Sequence, residues 1–272
     1  MEKINLDNYE PILTVGHTSK GDQRKWKIDD FWYKADYMGY ESLSEVLVSS
    51  LLQKSEINYP FVTYQPVWIE YKKEYLRGCL SQNFLLEDEI LVPLEKLYRQ
   101  YTGESLAVKL SEFVETSERI RFLVDQVQQI TNIQDFGLYL TTILEIDAFF
   151  LNEDRHTNNI AVLYNENTKK YSLCPVFDQG LCLLADTRQD YPLEAAIEEC
   201  IQKIEAKPFD IDFDIQLDEA EKLYGVQLHF DFNMKDVESV LNQMVRFYSE
   251  EVRERVEELM RRQMRKYRYF MK

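Results

Sequence analysis

Three oxygen-bearing side chains in the middle of the chain have types and spacing that suit chemistry. Asp154 and Asn159 stand in a polar loop that begins at Asn152, and Asp178 follows after two short strand-like segments. Phosphoryl transfer uses such a set: one carboxylate positions the attacking hydroxyl, while an amide and a second carboxylate hold magnesium over nucleotide phosphates. Because Mg²⁺ prefers hard oxygen ligands, Asn159 and Asp178 are candidate metal ligands and Asp154 is the candidate catalytic carboxylate.

A strongly apolar helix is predicted immediately before this loop. From Gln134 to Leu151 the chain is rich in Phe, Leu and Ile, which indicates a buried helix. Such a helix would carry Asp154 on a rigid element. Any one of the three polar residues alone is more typical of a turn. Their order after a buried helix favours the chemical interpretation.

A lysine and a glutamate in the first part of the chain form a second candidate pair. Lys34 lies in the second strand of a predicted hairpin that turns at Asp29-Asp30. Leucine and valine then recur at three- and four-residue steps, which predicts a helix that carries Glu45. Alone, this pair is typical of a surface salt bridge. Together with the downstream loop, it favours a glutamate that holds the lysine on the phosphates of a nucleotide.

The polar loop before the hairpin is a weaker candidate for phosphate binding. It runs from Thr18 to Arg24 and contains Gly21, so backbone N–H groups at Thr18, Ser19 and Gly21 could cradle a phosphate. A single glycine fits neither of the common phosphate-loop motifs, and an ordinary turn is the alternative. Thr14, Thr18 and Ser19 are also candidate sites of self-phosphorylation.

The alternation of elements predicts a two-lobed α+β fold. Residues 1–84 would form an N-lobe, in which a small mixed or antiparallel sheet packs against one helix. Residues 85–272 would form a mainly helical C-lobe that carries the catalytic loop and the metal-binding aspartate. Ser81, Asn83 and Phe84 lie where the pattern loosens into a connector. Backbone groups there could meet the adenine edge of a nucleotide bound between the lobes.

Composition excludes several other classes of protein. The formal net charge of −16 repels polyanions, so direct contact with nucleic acid is not expected. No apolar run reaches the length of a membrane span, and the first ten residues lack the apolar segment expected of a signal peptide. The four cysteines lack metal-like spacing and predict reduced thiols in a cytoplasmic protein. The basic last twenty or so residues are either a solvated helix face or a docking surface for an acidic partner.

The loop and the segment that follows it resemble a known family. Asn152-Glu153-Asp154-Arg155-His156-Thr157-Asn158-Asn159, with Pro175-Val176-Phe177-Asp178-Gln179-Gly180, resembles the HipA-like branch of the protein-kinase-like fold. The same loop is similar to the catalytic loop of phosphatidylinositol kinases. The supporting matches are Lys34, Ser44-Glu45-Val46-Leu47, Gly78 to Phe84 and Lys207-Pro208-Phe209. A full HipA toxin has an extra N-terminal subdomain, and this chain resembles a short form without it.

The resemblance implies a role for each matching residue. Asp154 would accept the proton of the hydroxyl, Asn159 and Asp178 would bind magnesium, and Lys34 with its partner Glu45 would bind the phosphates. The implied activity is that of a protein serine/threonine kinase that uses ATP and Mg²⁺. Its partners would be a protein substrate and, as in HipA systems, an antitoxin-like protein.

Other interpretations of the same residues stay open. A lipid or small-molecule kinase of the same fold is one, and a catalytically silent kinase fold that serves as a regulatory module is another. A metal hydrolase that uses Asp154, His156 and Asp178 is weaker, because no second histidine lies nearby. Within the loop, Arg155 is expected to counter local carboxylates. His156 is expected to anchor the loop by a hydrogen bond to backbone. Gln179 stands where many kinases have phenylalanine, so a phenylalanine switch is not expected.

Overall fold

The computed structural model describes residues 3–12 and 23–272. Its first part consists of β1 (Lys3–Asn5), β2 (Lys25–Ile28), β3 (Phe31–Ala35), α1 (Glu41–Leu52), β4 (Ser55–Glu56), β5 (Gln65–Tyr71) and β6 (Glu74–Gln82). Five of these strands form one sheet in the order β1-β5-β6-β3-β2. Strand β1 pairs with β5 in parallel, and the other neighbours are antiparallel. The sheet is therefore mixed, which is one of the two arrangements that the sequence predicted.

The hairpin of β2 and β3 turns at Asp29 and Asp30, as predicted. Asp29 has a φ of 49°, and two-residue hairpin turns need such left-handed backbone, which aspartate tolerates better than most residues. The resulting register places Trp26 opposite Tyr33 and Lys25 opposite Lys34. Lys34 is thereby placed on an inner strand of the sheet, between β2 and β6.

Helix α1 is buried on nearly all sides. Its apolar residues recur at helical spacing, and three of its four serines are buried as well, as are Glu41 and Glu45. The helix packs on β5 and β6 of the sheet and on a later helix, α8 (Met234–Gln243). Because the sheet and α8 enclose it, the polar groups of α1 must find partners inside the protein.

The rest of the described chain is mainly helical. Its elements are β7 (Glu89–Pro93), α2 (Leu94–Thr102), α3 (Leu106–Ser111), α4 (Thr116–Thr131), α5 (Phe136–Phe150), β8 (Ala161–Asn165), β9 (Lys170–Leu173), α6 (Ile197–Lys203), α7 (Phe213–Tyr224), β10 (His229–Phe230), α8 and α9 (Glu250–Lys266), followed by a short 3₁₀ turn, Arg268–Phe270. Strands β7, β8 and β9 form a small antiparallel sheet, and β10 pairs with β4.

Helix α5 is the centre of the core, as its apolar composition predicted. It packs against α4, α7 and α9, and Phe149 lies within ring-contact distance of Phe150, Phe230 and Phe270. The helix ends at Phe150, and the next residue, Leu151, has a φ of 56°. This left-handed residue turns the chain sharply out of a rigid helix and directly into the polar loop.

Two predicted helices differ from the structure in their boundaries. The sequence predicts a helix from Leu193 to Lys203, but α6 begins four residues later, at Ile197. The guanidinium of Arg255 binds the backbone carbonyls of Pro192 and Leu193 at 3.1 and 3.2 Å. That contact uses carbonyls that a longer helix would need for its own hydrogen bonds. The sequence likewise predicts a helix from Met234 to Tyr248, but α8 ends at Gln243 and turns follow it.

The four cysteines are all buried and none forms a disulfide. Burial raises the pKa of the Cys79 and Cys174 thiols, which keeps them protonated and unreactive. Among the helices of the described residues, none combines the length and the apolar character that a membrane crossing requires.

Candidate active site

Lys34 makes two close contacts with carboxylates. Its ammonium nitrogen lies 2.5 Å from Oε1 of Glu45 and 2.8 Å from Oδ1 of Asp178. Strand β3 positions the lysine by pairing it with Cys79 of β6. Only 8% of Lys34 is exposed, so the ion cluster is shielded from water and stronger than a surface pair.

Glu45 connects helix α1 to the segment of Asp178. One oxygen of its carboxylate binds Lys34, and the other accepts a hydrogen bond from the backbone N–H of Gln179 at 2.8 Å. Two more residues of the α1 region fasten it to the same segment. Ser44 Oγ donates to the carbonyl of Cys182 at 3.0 Å, and the hydroxyl of Tyr40 donates to the carbonyl of Leu183 at 2.5 Å. The helix is therefore held in the position where Glu45 meets Lys34.

The three charges of the cluster shift one another's pKa. Burial would lower the pKa of Lys34, but Asp178 and Glu45 outweigh this effect and hold it well above its usual value. Burial would raise the pKa of Asp178, but Lys25 and Lys34 hold it well below its usual value. Burial also raises the pKa of Glu45, and Lys34 opposes that rise. The cluster thus contains a charged lysine and an ionised Asp178.

Asp154 and Asn159 contact each other across the polar loop. The side-chain amide nitrogen of Asn159 donates to the carbonyl of Asp154 at 2.9 Å and to its Oδ2 at 3.2 Å. Asn152 begins the loop by accepting the backbone N–H of Asp154 on its side-chain oxygen at 3.2 Å. These bonds fix the direction of the Asp154 carboxylate relative to the end of α5.

A buried arginine joins the loop to the segment of Asp178. Arg155 Nε donates to Oδ2 of Asp147 at 2.8 Å, and Nη2 donates to Oδ1 at 3.0 Å. Its Nη1 donates to the carbonyls of Asn159 and Phe177, both at 3.0 Å. Since Phe177 directly precedes Asp178, one guanidinium ties together the parts of the chain that carry the three candidate residues. Arg155 counters a carboxylate as expected, and that carboxylate is Asp147.

The charges around Asp154 come from several segments. Nε2 of His156 lies 3.7 Å from Oδ1 of Asp154, and Nζ of Lys207 lies 3.9 Å from the same oxygen. Burial raises the pKa of Asp154; His156 and Lys207 lower it, while Asp178 raises it further. The expected backbone bond of the histidine ring is not seen: Nδ1 of His156 is buried and has no hydrogen-bond partner within residues 3–12 and 23–272.

The connector residues are tied to one another and to the sheet. Ser81 is still part of β6 and is buried. The backbone N–H of Asn83 donates to the carbonyl of Asp30 at 2.6 Å. The side-chain oxygen of Asn83 accepts a hydrogen bond from Trp32 Nε1 at 3.1 Å. The ring of Phe84 lies 6.2 Å from that of Phe177. The first residue after the sheet is therefore rigid, and Phe84 reaches the residue before Asp178.

Three candidate residues of the phosphate loop lie outside the described part of the chain. These are Thr18, Ser19 and Gly21, together with the possible phosphorylation site Thr14. Their predicted contacts with phosphate therefore stay predictions.

Sequence reasoning missed three charged residues near the site. Asp147 is a charge within an apolar helix, which was a usable signal because such a charge needs a partner. Lys25 lies 4.0 Å from Oδ2 of Asp178, and it could have been found from its place opposite Lys34 in the hairpin. Lys207 was noted only as part of a family match. Its proximity to Asp154 depends on the tertiary fold, and no local pattern indicates it.

The architecture and this arrangement define a two-lobed protein-kinase-like fold of the α+β class. Among solved structures, the chain is similar to the crystal structure of CtkA, a proinflammatory kinase of Helicobacter pylori. The TM-score is 0.62 at 17% sequence identity, over 97% of this chain and 94% of that one. Neither a known protein family nor a curated protein matches the chain. At this identity the similarity shows the fold, so the function has to be argued from the side chains.

Proposed function

We propose that this protein is an ATP- and Mg²⁺-dependent phosphotransferase. The observation that carries the proposal is the buried cluster in which Lys34 bridges Glu45 and Asp178, joined by Arg155 to the loop of Asp154. Kinase folds use such a lysine–glutamate pair to hold nucleotide phosphates, and they place the metal-binding and catalytic residues beside it. Lys34 would bind phosphate oxygens of ATP while Glu45 keeps its ammonium in place.

The donor set fits a magnesium ion. Asp178 offers a carboxylate whose pKa is held well below its usual value by Lys25 and Lys34, so it is ionised at any pH where the protein would work. Asn159 uses its amide nitrogen toward Asp154, which leaves the amide oxygen as the group to bind a metal. When bound, the ion would neutralise negative charge on the phosphates. Asp178 and Asn159 would hold it.

Asp154 would orient the acceptor and take its proton. The acceptor oxygen would bond to the terminal phosphorus of ATP, its proton would pass to Asp154, and the bond from phosphorus to the ADP oxygen would break. The ADP would leave with that bond's electron pair. Burial raises the pKa of Asp154, which makes it a better proton acceptor than a solvated aspartate. The loop bonds of Asn159 and Asn152 would keep its carboxylate aimed at the acceptor.

We infer that the acceptor is a serine or threonine of a protein. The inference is supported by the loop and the Asp178 segment, which resemble the HipA-like kinases in a short form. In this proposal the lobes divide near residue 84, after β6 ends at Gln82. The adenine would lie against Ser81, Asn83 and Phe84, and the phosphates would lie near the loop of Thr18, Ser19 and Gly21. An antitoxin-like partner belongs to the same proposal.

Radiolabel transfer from ATP tests this proposal. The purified protein is incubated with labelled ATP and Mg²⁺, and with either a dephosphorylated protein mixture or inositol-lipid vesicles. Label in protein that disappears in Asp178→Asn and Asp154→Asn, but not in the exposed control Asp218→Asn, supports a protein kinase. Label only in lipid would favour the lipid-kinase alternative, to which the loop is also similar. Binding of MgATP without transfer to any acceptor, water included, would favour a silent regulatory module.

A further inference from the structure

Lys207 approaches Asp154 from a segment that is distant in sequence. It lies between α6 and α7, and its Nζ is 3.9 Å from Oδ1 of Asp154. The chain two residues later is firmly anchored: Phe209 is fully buried, its N–H donates to Oε1 of Gln216 at 2.9 Å, and its carbonyl accepts from Arg119 at 2.6 Å. These bonds fasten the segment to α7 and α4. The position of the lysine is therefore set by the core of the protein.

The space between Lys207 and Asp154 suits a third group. A charge-assisted hydrogen bond between nitrogen and oxygen is about 2.7–2.9 Å long, so 3.9 Å leaves the pair without a direct bond. Oδ1 of Asp154 is buried and has no hydrogen-bond partner among the residues that the structure describes. A group that donates a proton toward Asp154 and presents negative charge toward Lys207 would satisfy both. An acceptor hydroxyl together with the phosphoryl group that it attacks has these two properties. The hydroxyl donates the proton, and the phosphoryl oxygens carry the negative charge.

Lys207 is also accessible to a ligand. It is half-buried, and it lines a cavity of about 280 Å³. The other residues that line this cavity are Glu153, Asp190, Tyr191, Lys203 and Glu205. The side chain of Lys207 therefore borders an open space and is not enclosed by the core.

Two other cations close to the reacting groups already make close contacts with carboxylates. Lys34 binds Glu45 and Asp178, and the guanidinium of Arg155 binds Asp147. In phosphoryl transfer, negative charge spreads over the three equatorial oxygens of the moving group. A cation fixed where this charge develops stabilises the transition state most.

We propose that Lys207 is a catalytic residue that binds the phosphoryl group while it moves from ATP to the acceptor. This proposal rests on the phosphotransferase function proposed above. The bonds that form and break are the same as there. The ammonium of Lys207 keeps its proton and only donates hydrogen bonds to the phosphoryl oxygens, while Asp154 receives the proton of the acceptor.

Substitution of two lysines at the same cavity provides the test. Lys207→Met removes the charge, Lys207→Arg keeps it, and Lys203→Met is the matched control, since Lys203 lines the cavity in the last turn of α6. Two quantities are measured on the full chain: the rate of ATP hydrolysis with water as acceptor, and the affinity for MgADP with and without aluminium fluoride. MgADP with aluminium fluoride mimics the phosphoryl group in transfer and does not depend on the identity of the natural acceptor.

For Lys207→Met, we expect kcat to fall by about 10²–10³-fold, as for loss of one preorganised donor. The KM for MgATP should change by less than about twofold, because the lysine would act mainly on the transition state. The gain in affinity that aluminium fluoride gives to MgADP should be lost in Lys207→Met, kept in Lys203→Met and partly restored in Lys207→Arg. A merely structural role would not affect that gain selectively.

The two proposals fail in different ways. If the wild-type protein binds MgADP and gains affinity with aluminium fluoride, but Lys207→Met behaves like wild type, the assignment of Lys207 is wrong and the phosphotransferase proposal stands. If Lys203→Met and Lys207→Met lose the affinity gain with aluminium fluoride equally, the assignment of Lys207 is also wrong. The effect would then reflect the general charge of the cavity. If the wild type binds neither MgATP nor MgADP, both proposals are wrong.

Discussion

The buried arginine of the loop allows a prediction that separates its structural effect from its effect on activity. Arg155 is 1% exposed and makes four hydrogen bonds, two to Asp147 and one each to the carbonyls of Asn159 and Phe177. The change Arg155→Met removes all four and leaves Asp147 as a buried carboxylate without its cation. Breaking a buried ion pair in this way costs about 3–5 kcal/mol.

A compensating change distinguishes the two functions of the arginine. In the double variant Asp147→Asn/Arg155→Met, both charges of this pair are removed, and Asn152 can still donate to the side chain at position 147. The remaining loss is that of a hydrogen-bond donor to two carbonyls, about 1–3 kcal/mol. Most of the free energy of unfolding should therefore return. Phosphoryl transfer should not return, because the guanidinium that joins the carbonyls of Asn159 and Phe177 is missing.

Urea unfolding and labelled-ATP transfer measure the two effects on the same preparations. The control is Arg262→Met, which removes a surface arginine paired with Glu198 and Glu258 and should cost at most about 1 kcal/mol. If Arg155→Met lowers the free energy of unfolding by less than about 1 kcal/mol, the buried pair of Arg155 and Asp147 is not needed for stability, and the reasoning is wrong. Wild-type transfer by the double variant would refute the claim that the arginine aligns the two segments.

Further predictions concern Lys34, Asp154 and Asp36. Lys34→Met leaves the buried carboxylate of Glu45 and the partly buried one of Asp178 without their shared cation. Urea unfolding should therefore show that the free energy of unfolding falls by about 3–5 kcal/mol, and unchanged stability would contradict the ion cluster. Because burial raises the pKa of Asp154 and transfer requires its ionised form, kcat should fall as pH drops through that raised value. Asp154→Asn should show a low rate without this acid limb. Burial, with Glu41 nearby, raises the pKa of Asp36 from 3.8 to about 7. The folded state then holds a proton that the unfolded chain has released, so stability should decrease from pH 4 to pH 7, by up to about 4 kcal/mol. In urea titrations at several pH values, Asp36→Asn should show a smaller decrease in the free energy of unfolding. An equal pH dependence in both proteins would contradict the raised pKa of Asp36.

Local patterns in the sequence predicted most of the fold. The two-residue turn at Asp29-Asp30 and the apolar spacing of α1 and α5 depend on neighbouring residues, so periodicity reveals them. The parallel pairing of β1 with β5 brings together residues that are far apart in the chain, and no local pattern indicates it. The late start of α6 has a similar cause. Arg255 takes two carbonyls at Pro192 and Leu193, and this tertiary contact outweighs helix propensity.

In the candidate site, too, some features follow from local sequence and others depend on tertiary contacts. Residue types and spacing were sufficient to select Lys34, Glu45, Asp154, Asn159 and Asp178 as candidates, because phosphoryl transfer uses groups of those types. The structure adds the contacts that join them, which come from residues whose partners lie far along the chain.

Asp147 and Lys207 illustrate two kinds of omission. Asp147 could have been selected, since a carboxylate in an apolar helix requires a buried partner. Lys207 could not, because only the packing of the segment around Phe209 brings its ammonium group near Asp154.

The most direct test of the central claim is a crystal structure with a non-hydrolysable ATP analogue and Mg²⁺. The claim predicts a metal ion bound by oxygens of Asp178 and Asn159 at about 2.0–2.1 Å. It also predicts phosphate oxygens of the nucleotide within hydrogen-bond distance of Lys34. A nucleotide bound elsewhere on the protein, or a metal that touches neither Asp178 nor Asn159, would contradict it.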